Sequence, residues 1–86
     1  MYFIYVLYSV EYDRFYIGLT IDCERRLGEH NAGKSFATKA FAPWIIVHTE
    51  EYSTRGAARK REKYLKSAAG RKWRKKHIIR PRGATE

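Results

Sequence analysis

Five side chains carry the chemical interest of this 86-residue sequence. Glu62 is the sole acid in a stretch that holds Arg55, Arg59, Lys60, Arg61, Lys63, Lys66 and Arg71. It stands four residues after Ala58 and three before Leu65, so all three share the helical stripe that should face the body of the protein. A carboxylate turned inward is costly unless a cation meets it. That cation is either a neighbouring arginine or a bound metal ion. Arg26 and His30 come next. With Cys23 and Leu27 they are spaced i, i+3, i+4 and i+7, which is one face of a second helix. The last two are phenols. Tyr5 and Tyr16 lie eleven positions apart in two apolar runs. If those runs pair, the hydroxyls approach each other, either as core tyrosines bonded at the edge or as a working pair.

The elements that must position these residues follow from pattern. Tyr2 to Tyr8 (YFIYVLY) is a β-branched and aromatic run that reads as a buried strand. A short polar link, Glu11 to Arg14, leads to a second strand at Phe15 to Leu19, so an antiparallel hairpin is expected. Gly18 inside that strand marks a bulge or a close approach by another group. Asp22 is a good helix N-cap and Gly33 a good stop. Residues 34–43 are irregular. Trp44 to Glu50 reads as a third strand. Ser53 or Thr54 caps a second helix that runs to about Ser67, and the basic tail beyond has room for a short third helix. The order β-β-α-β-α, with no repeat and no linker, predicts one α+β domain in which helices pack on a small sheet.

Charge divides the chain unevenly. Residues 1–54 carry five basic and seven acidic side chains; residues 55–86 carry thirteen basic and two acidic ones. Such a basic third points to a polyanionic partner, nucleic acid before a membrane surface, because large apolar residues are scarce beside the charges. One cysteine, Cys23, cannot form an intrachain disulfide and fits a core position. The apolar run from Met1 to Tyr8 is far short of the ~20 residues that span a bilayer. Nothing resembles a signal peptide. A folded, soluble, cytoplasmic protein is expected.

The residues also form a pattern. FIY at 3–5, YIG at 16–18, Arg26 ten residues after Tyr16, then His30, then a glutamate on the second helix: the chain resembles the GIY-YIG nuclease superfamily. The likeness runs from Phe3 to about Arg74. YIGLTIDCERRLGEHNAGK is similar to small stand-alone members, and AARKREKYLKS with the following GRKW looks like their second helix and tail. The resemblance implies a three-stranded antiparallel sheet flanked by helices, over residues 1–80, with 81–86 as a tail. It implies an endonuclease that hydrolyses phosphodiester bonds, mostly in DNA, with one divalent ion, Mg²⁺ or Mn²⁺. Tyr5 and Tyr16 match the two motif tyrosines, Arg26 the catalytic arginine, His30 the histidine of many members and Glu62 the metal-binding glutamate. In that scheme Tyr16 takes the proton of the attacking water, and Tyr5 or His30 positions it or shares the proton. The first motif reads FIY, not GIY. The asparagine that larger members carry after the glutamate helix is missing, since Asn31 is the only asparagine. Lys72, Arg74, Lys75 and Lys76 would meet backbone phosphates, which gives affinity without sequence readout. The alternative is a nucleic-acid-binding module that keeps the fold without turnover.

Overall fold

A computed structural model describes residues 1–78. The boundary expected at residue 80, and the tail after it, lie outside the described residues. Strands β1 (Tyr2–Ser9), β2 (Arg14–Thr20) and β3 (Ile45–Tyr52) form an antiparallel sheet in the order β2-β1-β3. Three α-helices follow the expected places: α1 (Cys23–Asn31), α2 (Arg55–Lys66) and α3 (Ala68–His77). The third helix is thus real, and the element order is β-β-α-β-α-α. The irregular segment contains one short 3₁₀ turn, Lys39–Phe41.

The central strand β1 is covered on both faces, which is why it reads as a continuous apolar run. Ile4 and Val6 point to one side, where they pack with Ile17, Ala58, Leu65 and Ile78. Tyr5 and Leu7 point to the other, where they meet Trp44, Leu27 and Cys23. The alternation of β1 therefore sorts the molecule into three layers: α2 and α3, the sheet, and α1 with the 34–43 segment. Leu65, with no exposed surface, contributes about 2 kcal/mol by its burial. Cys23 sits in the core cluster, as expected.

The helix ends obey their caps. The carboxylate of Asp22 accepts from the N–H of Arg25 at 3.1 Å, and Thr54 accepts from that of Ala57 at 3.2 Å, so each first turn gains a partner for an orphan donor. After α1, Gly33 takes φ +79° and its N–H bonds the His30 carbonyl at 3.2 Å. That left-handed stop suits glycine.

A polar clamp fixes α2 on β3. Arg61 grips Glu50 with two bonds, Nε to Oε1 at 2.8 Å and a terminal nitrogen to Oε2 at 3.0 Å. His48 and Tyr52 bond the same carboxylate at 2.8 and 2.7 Å. The Arg61 guanidinium also lies 4.6 Å from the Trp73 ring centre, and Trp73 stacks on His77. Burial opposes the Glu50 charge, but the bonds from Arg61, His48 and Tyr52 outweigh it and hold the carboxyl down at about 2. The clamp anchors both the helix that carries Glu62 and the helix after it.

Candidate active site

The hairpin register brings the two phenols together. Tyr5 faces Gly18 across the β1–β2 ladder, and Leu7 faces Tyr16. Tyr5 and Tyr16 are therefore diagonal neighbours on one face, with ring centres 6.4 Å apart. The Tyr5 ring lies directly over Gly18. A Cβ at that position would collide with the Tyr5 phenol carbons and hydroxyl. The strand glycine expected to mark a close approach does so, and the approaching group is the first motif tyrosine.

Tyr5 is held from behind. His30, fully buried on α1, meets its hydroxyl through Nε2 at 2.9 Å and meets Thr38 Oγ1 through Nδ1 at 2.7 Å. The Thr38 hydroxyl donates to the Ser35 carbonyl at 3.4 Å. With its one proton spent there, Thr38 accepts from Nδ1–H, so Nε2 is bare and accepts the Tyr5 proton. Burial and the nearby Arg26 charge lower the His30 pKa, which favours this neutral ring. Burial first, then the neighbouring Tyr16, push Tyr5 up to about 12, with Arg26 acting in the opposite sense. Tyr5 thus keeps its proton at ordinary pH. Tyr16 differs: among the described residues its hydroxyl makes no hydrogen bond.

Arg26 sits half-buried at the rim. It donates to Glu29 Oε1 at 2.8 Å, and that bond raises its pKa. On the opposite wall α2 supplies Glu62, 9% exposed. The inward stripe Ala58, Glu62 and Leu65 is the buried face of α2, as its spacing predicts. Glu62 bonds Lys66 Nζ at 3.1 Å and has an Arg59 guanidinium nitrogen at 3.7 Å.

These pieces enclose one concave pocket of about 160 Å³, lined by Tyr5, Tyr16, Gly18, Leu19, Arg26, Arg55, Arg59 and Glu62. Four of the five expected catalytic residues meet there. His30 does not line it and stands one layer behind, on Tyr5. Two cations that sequence reasoning left without a role, Arg55 and Arg59, line the pocket. The signal was present: 55, 59 and 62 are spaced i, i+4, i+7 and share the face of Glu62. Thr38 was missed because its partner is eight residues away through an irregular loop. Asn31 is spent on structure, since its side chain clamps Trp44, accepting from the backbone N–H at 2.6 Å and donating to the carbonyl at 3.0 Å. The four basic residues expected to touch phosphate divide. Arg74 and Lys75 line a separate cleft with Arg71, and Lys72 and Lys76 are exposed outside it.

The model of the GIY-YIG catalytic domain family matches residues 1–76. The chain belongs to that family. Among its relatives, a UPF0213 protein of Natronomonas pharaonis is 38% identical over 66 residues, 76% of either chain. A UPF0213 protein of Haloquadratum walsbyi is 45% identical over 56 residues, 64% of this chain and 63% of its own length. The solution NMR structure of a UPF0213 protein from Bacillus halodurans has the same fold, with a TM-score of 0.55 and 25% identity over 99% of this chain and 94% of that one. The three-stranded GIY-YIG architecture expected from sequence is therefore the observed one. Among the described residues no helix is long and apolar enough to cross a membrane.

Proposed function

We propose that this GIY-YIG protein is a metal-dependent endonuclease that hydrolyses phosphodiester bonds in DNA. The observation that carries the proposal is the convergence of Tyr5, Tyr16, Arg26 and Glu62, from four different elements, on one open pocket with two further arginines. Hydrolysis needs a water that loses its proton, charge relief at phosphorus and a stabilised leaving oxygen. Tyr16 has an unengaged hydroxyl at the pocket, which Arg26, Arg55 and Arg59 also line, and is the candidate base. Tyr5 holds its own proton against His30 and directs its lone pairs at the pocket, which positions the attacking water. Arg26 and Arg59 offer forked donors to the scissile phosphate.

Among the described residues Glu62 is the sole carboxylate that lines the pocket, and no group of three or more His, Cys, Asp or Glu could hold a metal. That donor set fits Mg²⁺ or Mn²⁺, which accept one carboxylate and complete their shell with waters and phosphate oxygens. When bound, the ion would supply Lewis-acid stabilisation of charge on the phosphate oxygens. Lys66 and Arg59 hold Glu62 in place for it.

The test is nicking of plasmid and branched DNA with Mg²⁺ or Mn²⁺ against chelator. Nicking that disappears in both Glu62→Ala and Arg26→Ala is the expected result. Equal nicking by both variants would assign the activity to a contaminant. A second function is favoured by one contact, the ion pair of Glu62 with Lys66: if that pair excludes metal, the protein is a binding module of the same fold. It then binds DNA and RNA with undiminished affinity in Glu62→Ala and cuts neither. Family kinship and the basic α2 and α3 also support roles in DNA repair or recombination.

A further inference from the structure

A second concavity lies further along β2, between that strand and α3. It measures about 540 Å³ and is lined, among the described residues, by Phe15, Arg71, Arg74, Lys75 and Ile78. Residues 71, 74, 75 and 78 are spaced i, i+3, i+4 and i+7, one face of α3 that continues into its cap. Three of the four are cations, and among the described residues none of them has an ion-pair partner. Several half-buried or helix-surface cations elsewhere do meet a carboxylate: Arg25 and Arg26 meet Glu29, Arg61 meets Glu50, and Lys66 meets Glu62. In the cleft the Arg74 guanidinium lies over the Phe15 ring at 5.2 Å, and its Nε is buried with no hydrogen-bond partner. Burial and the adjacent Arg71 charge both lower its pKa. Like charges gathered over an apolar floor lack one thing, an anion.

The position of the cleft says which anion. Phe15 forms its floor, and Leu19 lines the catalytic pocket. Both lie on β2, on the same face and four residues apart. At ~3.3 Å per residue this separates the two sites by about 13 Å along the strand. That is about four base steps of a duplex at its rise of ~3.4 Å. Among the described residues β2 is an edge of the sheet, with no strand beyond it.

We propose that the Phe15–α3 cleft binds a flanking backbone phosphate of the same nucleic acid whose scissile phosphate occupies the Tyr5–Glu62 pocket. Arg71 and Lys75 reach the phosphate oxygens, and Arg74, braced on Phe15, closes the third side. The cleft then sets how far the strand must run past the cut. It rests on the proposed function for the identity of the strand, and it is tested without metal so that the two can fail separately.

The probe is a short fluorescein-labelled mixed-sequence duplex, titrated by anisotropy in chelator over a range of salt. Two double variants remove equal charge from α3: Arg71→Gln with Lys75→Gln in the cleft, and Lys72→Gln with Lys76→Gln outside it. Both pairs are exposed, so thermal unfolding should be unchanged in each. The cleft variant should lose about tenfold in affinity near 0.1 M salt and flatten the log–log salt slope by about 0.9 for each phosphate released, whereas the outer variant should lose under about threefold. Equal losses in the two variants, or no loss in the cleft variant, would overturn the cleft. If the wild type cuts no DNA in Mg²⁺ or Mn²⁺ while the cleft variant alone loses binding, the cleft stands and catalysis does not. If the wild type cuts and the cleft variant binds and cuts equally well, catalysis stands and the cleft does not.

Discussion

Two carboxylates on opposite edges of the molecule face the same kind of surroundings and are treated differently. Glu50 on β3 is saturated: Arg61 takes both oxygens, and His48 and Tyr52 add a bond each. Glu62 on α2 has one lysine at 3.1 Å and one arginine at 3.7 Å, and it borders an open pocket. Glu50 has no valence left for a ligand. Glu62 keeps room for one. A structural carboxylate and a working carboxylate are thus told apart by the completeness of their shells, because burial is similar in both.

The comparison can be broken most forcefully at Glu62. Glu62→Gln should lower nicking by about 10²–10³-fold, the loss typical of removing a transition-state electrostatic contact, while urea unfolding moves little. Glu50→Gln should do the reverse. It leaves Arg61 short of its partner and should cost about 2–3 kcal/mol of stability, with the remaining folded protein still active. If urea unfolding showed Glu62→Gln to be the more destabilised, the assignment of the two roles would fail.

A pH series sharpens the same contrast. The Glu50 carboxyl is depressed in the folded state to about 2, against about 4.3 in an unfolded chain. Its contribution is therefore full above pH ~4.3 and lost as pH falls towards 2, an acid-side loss on the order of 2–3 kcal/mol. His30 acts in the same direction from a higher starting point. Its lowered pKa makes the buried neutral ring favourable above the ordinary histidine value of ~6.5, and stability declines as pH falls below it. In Glu50→Gln the low-pH part of the decline should be absent and the His30 part should remain, as read by chemical denaturation at successive pH values.

Smaller effects should come from the supports. Gly18→Ala drives a methyl into the Tyr5 ring and should cost about 1–3 kcal/mol, with nicking lost because Tyr5 must move; unchanged nicking would contradict the placement of Tyr5. Thr38→Val removes the acceptor for His30 Nδ1 and should cost about 1–2 kcal/mol. It should also shift the pH dependence of nicking, which a purely structural contact would not do. Lys66→Met should change stability by under about 0.5 kcal/mol, because its side chain is 52% exposed and i,i+4 pairs contribute little.

Much of this was legible in the residues. The alternation of β1, the caps at Asp22 and Thr54, the stop at Gly33 and the inward stripe of Glu62 are local patterns, and local patterns survive into the fold. The nearness of Tyr5 and Tyr16 needed only the hairpin. What stayed hidden depended on contacts between distant segments. The Glu50 clamp joins residues eleven apart through Arg61. Thr38 reaches His30 from a loop without periodicity. The division of the basic tail into a cleft face and an outer face required the axis of α3, which charge counting does not supply.

That axis turns at Ser67, whose hydroxyl serves both helices. Ser67 ends α2 by donating to the Tyr64 carbonyl at 2.5 Å and begins α3 by accepting from the Gly70 N–H at 3.2 Å. It is the pivot of a lever ten residues long, roughly 15 Å from end to end at 1.5 Å per residue. A tilt of about 10° at the pivot would carry the Ile78 end through roughly 2.5 Å over that length. The spacing between the two proposed phosphate sites is therefore tuned at a residue that touches neither of them.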